Sequence, residues 1–146
     1  MTTQRGLGSA WWALRIGLGL GPFLAGLDKF FNVLTDWGMY LGPVAEKYLP
    51  VSGPVFMRTV GVVEMVVGLA ILAGWTRIGG YVAMAWLLAI AGNLVTTGMF
   101  YDLAVRDVEI AIAAYTLARL TEARGLGESW QPSSRGLGGR RSTAAA

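Results

Sequence analysis

The chain contains no cysteine and no histidine in its 146 residues. These absences exclude disulfides, thiolate nucleophiles, iron–sulfur clusters held by cysteine, haem held by histidine and the common zinc sites. Catalytic triads that depend on histidine are excluded as well. Any chemistry of the chain itself must therefore use carboxylates, lysine, arginine, tyrosine, tryptophan or the backbone, and we expect no metal site.

Charged residues are also scarce. They make up 14% of the sequence, whereas soluble domains contain about 25%. Hydrophobic residues make up 54%, and the mean hydropathy is +0.51. This composition predicts an integral membrane protein. The length leaves room for about four transmembrane helices of about 20 residues each, plus a tail.

Four apolar stretches predict an all-α fold, a bundle of four transmembrane helices. We place these spans at residues 11–34, 55–75, 78–101 and 102–120. Residues 78–101 contain no charge, whereas the other three stretches are interrupted by charged residues. Arg15 inside the first apolar run disfavours a cleaved signal peptide. We therefore predict a cytoplasmic N-terminus over residues 1–10 and a four-helix membrane domain over residues 11–124.

The distribution of arginine predicts the orientation. Four spans put both termini and the turn between spans two and three on one side, and that side carries Arg5, Arg77, Arg119, Arg124, Arg135, Arg140 and Arg141. Positive residues concentrate on the cytoplasmic side, so we expect both termini to be cytoplasmic. Residues 125–146 are predicted to be a disordered Arg/Gly-rich cytoplasmic tail. The pI of 9.6 alone would suggest a nucleic-acid partner. Because the positive charge lies mostly on the predicted cytoplasmic side, we attribute it to membrane topology and expect no nucleic-acid partner.

The connection between the first two spans, residues 35–54, is too polar to cross the membrane. Its apolar residues recur at helical spacing: Trp37, Tyr40, Leu41, Val44 and Tyr48. This spacing predicts a short interfacial helical segment on the outer side of the membrane. Gly42 and Pro43 should break that segment.

Charged residues inside membrane spans are costly and are functional candidates by default. Glu64 lies about ten residues from the outer end of the second span, which is about 14 Å at the helical rise. The other spans carry polar residues at comparable depth. We therefore expect one ligand-binding or buried polar site in the outer half of the bundle, formed by Glu64, Lys29, Arg106, Glu109 and Asn93.

Glu64 should pair with Lys29 or Arg106, because only their helices bring a cation to similar depth. Gly61 and Gly68 share a helical stripe with Glu64 and would let a neighbouring backbone approach closely. A functional and a purely structural interpretation of these charges both stay open.

The remaining polar groups of the spans favour structural interpretations. Asn93 is interpreted as an interhelical contact rather than a ligand contact. Asp28, Arg58 and Asp107 lie near the interface and are interpreted as charges that fix the helix register. Trp86, in the middle of its span, is interpreted as a packing residue.

Several short segments, in this order and spacing, resemble the DoxX family of small bacterial and archaeal membrane proteins. They are Arg15 with Gly-Leu-Asp-Lys-Phe at 26–30, Gly-Val-Val-Glu-Met-Val-Val-Gly at 61–68, Gly-Trp-Thr-Arg at 74–77, and Arg106-Asp107. The resemblance covers residues 11–122. It implies a four-helix bundle in a bacterial cell (inner) membrane. Some family members resemble or accompany the membrane part of thiosulfate:quinone oxidoreductase, and others join redox complexes.

The main functional hypothesis is a DoxX-like membrane subunit of a quinone-linked redox complex, which anchors a partner or contacts a quinone. A quinone is the candidate cofactor, since the chain offers no histidine or cysteine ligand, and the chain is not expected to be catalytic on its own. Expected partners are membrane lipids and other subunits of a membrane complex. The alternative is a non-catalytic structural or assembly subunit. A proton-coupled transporter is less favoured, because the spans show no inverted repeat.

Overall fold

The computed structural model describes residues 2–129, with side chains described for residues 5–125. Within this part of the chain the structure consists of helices and their connections, without a strand. The all-α class is therefore confirmed for the described residues. The elements are α1 (Thr2–Asp28), a 3-10 helix (Trp37–Tyr40), α2 (Pro43–Tyr48), α3 (Gly53–Ala73), α4 (Thr76–Thr96) and α5 (Tyr101–Ser129).

Three helices are long and apolar enough to cross a membrane. They are the Arg5–Asp28 part of α1, α3 and α4. This supports the predicted membrane location. The helix α5 has 29 residues but does not belong to this group, because charged residues interrupt its apolar sequence.

The first helix begins and ends earlier than the predicted span 11–34. It starts at Thr2 and continues through Pro22 to Asp28, so residues 2–10 belong to the helix rather than to a separate terminal segment. The helix ends because the Asp28 carboxylate accepts hydrogen bonds from the backbone N–H groups of Val33 and Leu34, both at 3.0 Å. These bonds close a turn that competes with further helix.

The connection from α1 to α3 contains two short helical segments. The 3-10 helix Trp37–Tyr40 and α2 (Pro43–Tyr48) are separated at Gly42, and Pro43 takes the first turn of α2. The predicted short helical segment and its break at Gly42 and Pro43 are therefore confirmed, and its position at the membrane interface stays a prediction. We call the part of the bundle that carries residues 29–52 the loop end.

The bundle is built from two closely packed helix pairs. The first helix packs mainly on α3, and α4 packs mainly on α5. Glycines make the α1–α3 contact close: a methyl group on Gly26 would meet the Gly61 carbonyl oxygen, and one on Gly68 would meet that of Gly19. The two contacts are seven residues apart along each helix, Gly19 and Gly26 on α1 and Gly61 and Gly68 on α3. They therefore form a continuous stripe of backbone contact.

Small residues also form the contact between α4 and α5. A methyl group on Gly80 would lie 2.9 Å from the Ala114 carbonyl oxygen and 3.1 Å from the Ala118 Cβ. Ala114 and Ala118 are fully buried, together with their neighbour Leu117. Alanine and glycine therefore bring these helices together, as leucine side chains would not.

Side chains of Arg15 and Trp11 join helices at the end opposite the loop end. The Arg15 guanidinium donates to the carbonyl oxygens of Ile71 and Leu72 at 3.1 and 2.6 Å, which caps the C-terminal end of α3. The Trp11 indole N–H donates to the Thr121 hydroxyl at 2.8 Å. The last helix continues to Ser129, past the predicted start of the tail at residue 125. Residues 130–146 lie outside the described part.

Candidate functional site

A buried ion pair joins α1 to α3 near the loop end. The Lys29 ammonium lies 2.6 Å from Oε2 of Glu64, and the two side chains are only 4% and 9% exposed. Lys29 follows the last residue of α1 directly, and Glu64 lies between Gly61 and Gly68 on the buried stripe of α3. The close α1–α3 contact therefore places the two charges together. Of the two partners predicted for Glu64, the structure selects Lys29.

Trp37 covers the ion pair from the loop. Its ring centroid lies 3.7 Å from the Lys29 ammonium, a close cation–π contact. Its indole N–H donates to Oδ2 of Asp28 at 2.8 Å. The Asp28 carboxylate thus holds Trp37 in place while it ends α1. The Lys29 ammonium is consequently enclosed by a carboxylate and an aromatic ring.

The last helix contributes Asp107 rather than Arg106 to the interior. Asp107 is buried, with 5% of its surface exposed, and it lies within electrostatic range of Lys29 and Glu64. The Arg106 side chain is 58% exposed and reaches only to its neighbour, with Nη2 at 3.2 Å from Oδ1 of Asp107. The expectation that Arg106 shares the site with Glu64 is wrong in this respect. Consecutive helical residues point about 100° apart, so only one of the two can face α1 and α3.

Glu109 does not join the buried cluster either. Its side chain is exposed on α5 and makes no ion pair within the described residues. The expectation that Glu109 shares the polar site with Glu64 and Lys29 is therefore wrong for the described structure. The physical reason is the rotation of α5 about its axis: it directs Asp107 into the bundle and leaves Glu109 on the exposed face.

Asn93 holds the loop rather than the ion pair. Its side-chain amide donates to the Tyr40 carbonyl oxygen at 2.7 Å and accepts from the Gly42 N–H at 2.9 Å. Gly42 is required here, because a methyl group on it would lie 2.8 Å from the Asn93 carbonyl oxygen. Asn93 is thus a structural contact, as predicted. However, it joins α4 to the loop and does not join two long helices.

One buried donor near the ion pair lacks a well-formed hydrogen bond. The indole N–H of Trp86, on α4, is buried with the Glu64 carboxylate as a neighbouring acceptor, but it forms no hydrogen bond of standard distance and angle within the described residues. A buried N–H group without a partner is costly and needs an explanation. Glu64 satisfies this donor only weakly, so the Trp86 N–H remains able to donate to a better-placed acceptor.

The buried polar cluster consists of Lys29, Glu64, Asp107, Trp37 and Trp86. Sequence reasoning found the first two, because their depth along the helices can be counted. It treated Asp107 as an interface charge and Trp37 as an interfacial aromatic residue, because neither the rotation of α5 nor the path of the loop is visible in the sequence. The sequence favours a packing role for Trp86, since a tryptophan in the middle of a span gives no indication of what its N–H group contacts.

A cavity of about 310 Å³ opens at the loop end, and Lys29 and Trp37 of the cluster form part of its wall. Charged residues of both signs line it, namely Lys29, Arg58, Asp36 and Glu46. An apolar groove adjoins it and shares Phe30 and Arg58 with its lining. Within the described residues, no group of three or more carboxylates comes together in a way that could hold a metal ion.

Comparison with protein-family models, curated proteins and solved structures finds no match to the chain. The class of protein therefore follows from the structure alone. Three long apolar helices in an all-helical fold define a membrane protein. Its distinguishing feature is a lysine–glutamate pair buried between two of those helices.

Proposed function

We propose that this chain is a DoxX-like integral membrane subunit of a quinone-linked redox complex. In this proposal α5 is the fourth membrane span, both termini face the cytoplasm, and the membrane is the bacterial inner membrane. The chain itself contributes no redox group, because it has no histidine or cysteine. Its role is to anchor a partner subunit and to contact the quinone.

The observation that carries the proposal is the weakly bonded Trp86 N–H beside the buried Lys29–Glu64 pair. A quinone ring is apolar and carries carbonyl acceptors, which suits an apolar helix bundle in which the Trp86 N–H is only weakly bonded. Glu64 and Asp107 provide two carboxylates nearby, and carboxylates can accept or release the protons that accompany quinone reduction.

The test is the quinone content of the protein purified in mild detergent from its native membrane. We expect quinone to copurify with the wild type and to fall several-fold in Trp86→Phe, which keeps the ring but removes the donor. Trp75→Phe is the matched control, since Trp75 is 69% exposed at the α3–α4 turn. Equal quinone content in both variants would show that the Trp86 N–H does not bind quinone.

One observation favours the alternative, a non-catalytic structural or assembly subunit. Lys29 and Glu64 already satisfy each other, and Trp37 covers the lysine, so the pair needs no ligand to be stable. The same purification separates the two proposals. A structural subunit would copurify with partner proteins and without quinone, and Trp86→Phe would leave those partners in place.

A further inference from the structure

The cavity at the loop end contains charges that the bundle does not use. Arg58, on α3, is exposed and makes no ion pair within the described residues. Glu46 on α2 is also exposed and without an ion pair there. Asp36 accepts only the Gly38 N–H, at 3.0 Å. Lys29 also lines the cavity, but its ammonium is committed to Glu64 and Trp37.

The apolar groove continues from the cavity along α3. It is lined by Arg58, which also lines the cavity, and by Phe30, Val55, Thr59 and Val62. Val55 and Val62 are 48% and 46% exposed. Because α3 is long and apolar enough to cross a membrane, this groove lies where lipid chains pack against the protein.

The two depressions together have a fixed chemical order. The groove runs along α3 past Arg58 to Val62. From its deeper end the order is therefore Val62, then Arg58, and then the carboxylates of Asp36 and Glu46 in the cavity. Arg58 lies five residues into α3, about 7.5 Å along the helix, whereas both carboxylates belong to the connection that precedes α3. The cation is therefore the deeper group and the carboxylates are nearer to water.

We propose that this surface binds one phospholipid whose head group carries a phosphate and a primary ammonium, the phosphatidylethanolamine class. Its acyl chain lies in the groove, its phosphate contacts Arg58, and its ammonium contacts Glu46 and Asp36. The order of groups in such a lipid is chain, phosphate and ammonium, which is the order of the groove, the arginine and the carboxylates. Arginine suits a phosphate because it offers several donors in one plane.

Other phospholipids complement this surface less well. Phosphatidylglycerol offers a phosphate to Arg58 but no cation to the two carboxylates. Phosphatidylcholine offers a quaternary ammonium, which has no N–H to donate to a carboxylate. The arrangement of charges thus selects the primary ammonium, and the site is independent of any quinone near Trp86.

The test is native mass spectrometry of the full chain in detergent, titrated with dioleoyl phosphatidylethanolamine, phosphatidylglycerol or phosphatidylcholine. We expect the tightest single adduct with phosphatidylethanolamine. Arg58→Gln should weaken that lipid and phosphatidylglycerol alike, on the order of tenfold, because each loses a hydrogen bond between charged groups. Glu46→Gln should weaken phosphatidylethanolamine alone and so reduce the preference.

Lys47→Gln and Glu109→Gln are the matched controls. Each removes an exposed charge that does not line the cavity, so each should leave the lipid preference unchanged. Soluble phosphoethanolamine at equal concentration should not displace the lipid, because it has no chain to fill the groove. Displacement by it would reduce the site to a head-group pocket and overturn the role of the groove.

Two outcomes would overturn the proposal as a whole. One is equal affinity of the wild type for all three lipids, which needs no variant to fold. The other is an unchanged affinity for phosphatidylethanolamine in both Arg58→Gln and Glu46→Gln. Arg58 and Glu46 are exposed and unpaired within the described residues, so both variants should keep the thermostability of the wild type.

Discussion

Gly26 of α1 and Gly61 of α3 lie so close that a methyl group on either would meet the carbonyl oxygen of the other. The same approach brings the Lys29 Cβ to 3.1 Å from a methyl group built on Gly61. The backbone contact and the buried ion pair are therefore one structural unit. Any change that separates α1 from α3 at Gly61 also lengthens the distance between Lys29 and Glu64.

The first prediction concerns this contact. Gly61→Ala should lower the detergent thermostability, by about 1–3 kcal/mol of unfolding free energy, because the added methyl group forces the two backbones apart. Gly17→Ala is the control, since nothing lies within 4 Å of a methyl group at that position of α1. A thermal unfolding midpoint of Gly61→Ala equal to that of the wild type would show that the helices can separate without cost.

The second prediction concerns the ion pair. Glu64→Gln should destabilise the bundle by on the order of 3 kcal/mol, because it leaves the buried Lys29 ammonium without a counter-charge. Lys29→Met should have a comparable effect, and the double variant should recover much of the loss. The measurement is a double-mutant cycle on detergent thermostability.

Glu109→Gln serves as the control for the loss of a carboxylate, because Glu109 is exposed on α5. Its effect should stay within about 0.5 kcal/mol, as for most surface substitutions. Simple additivity of Glu64→Gln and Lys29→Met would contradict a coupled pair and would favour a hydrated, ligand-accessible site.

The third prediction concerns Asn93. Asn93→Ala removes the two hydrogen bonds that join the backbone of Tyr40 and Gly42 to α4. The loop backbone should therefore become more mobile. Amide hydrogen exchange over residues 37–48 should then become faster, while exchange in α3 stays the same. Gly92→Ala is the matched control on the same helix, because its position is open. Unchanged exchange in the loop would mean that other contacts hold it.

The fourth prediction concerns the proposed topology. A reporter that is active only in the cytoplasm should be active when fused after Arg124, because four spans return the chain to the side on which it began. Alkaline phosphatase inserted in the loop, after Glu46, should be active on the opposite side. Phosphatase activity of a fusion after Arg124 would reduce the number of spans to three and make α5 a surface helix.

The sequence was sufficient for the helical class and for the three apolar helices, because hydropathy and length determine both. It also identified Glu64 and Lys29, since depth along a helix can be counted residue by residue. It could not choose between Arg106 and Asp107. That choice depends on how α5 is rotated about its axis. Because α5 packs through small alanine residues, its sequence lacks the periodic pattern of large apolar residues that would indicate the buried face.

The ends of the first helix were unpredictable for a local reason. Hydropathy continues past Asp28 through Phe30 and Phe31 to Leu34, so the apolar stretch predicts a longer helix. The helix stops because the Asp28 carboxylate binds the backbone of Val33 and Leu34. A side-chain cap of this kind outweighs the preference of the following residues for the membrane.

The α1–α3 ion pair has a consequence for the order in which the chain enters the bilayer. Lys29 is synthesised 35 residues ahead of Glu64, so the lysine leaves the ribosome before the carboxylate of α3. A carboxylate that enters the membrane next to an ammonium group can form an ion pair with it. It then does not have to cross the membrane as an unpaired charge. The two helices are thus suited to insertion as a single hairpin, with the loop end as its bend.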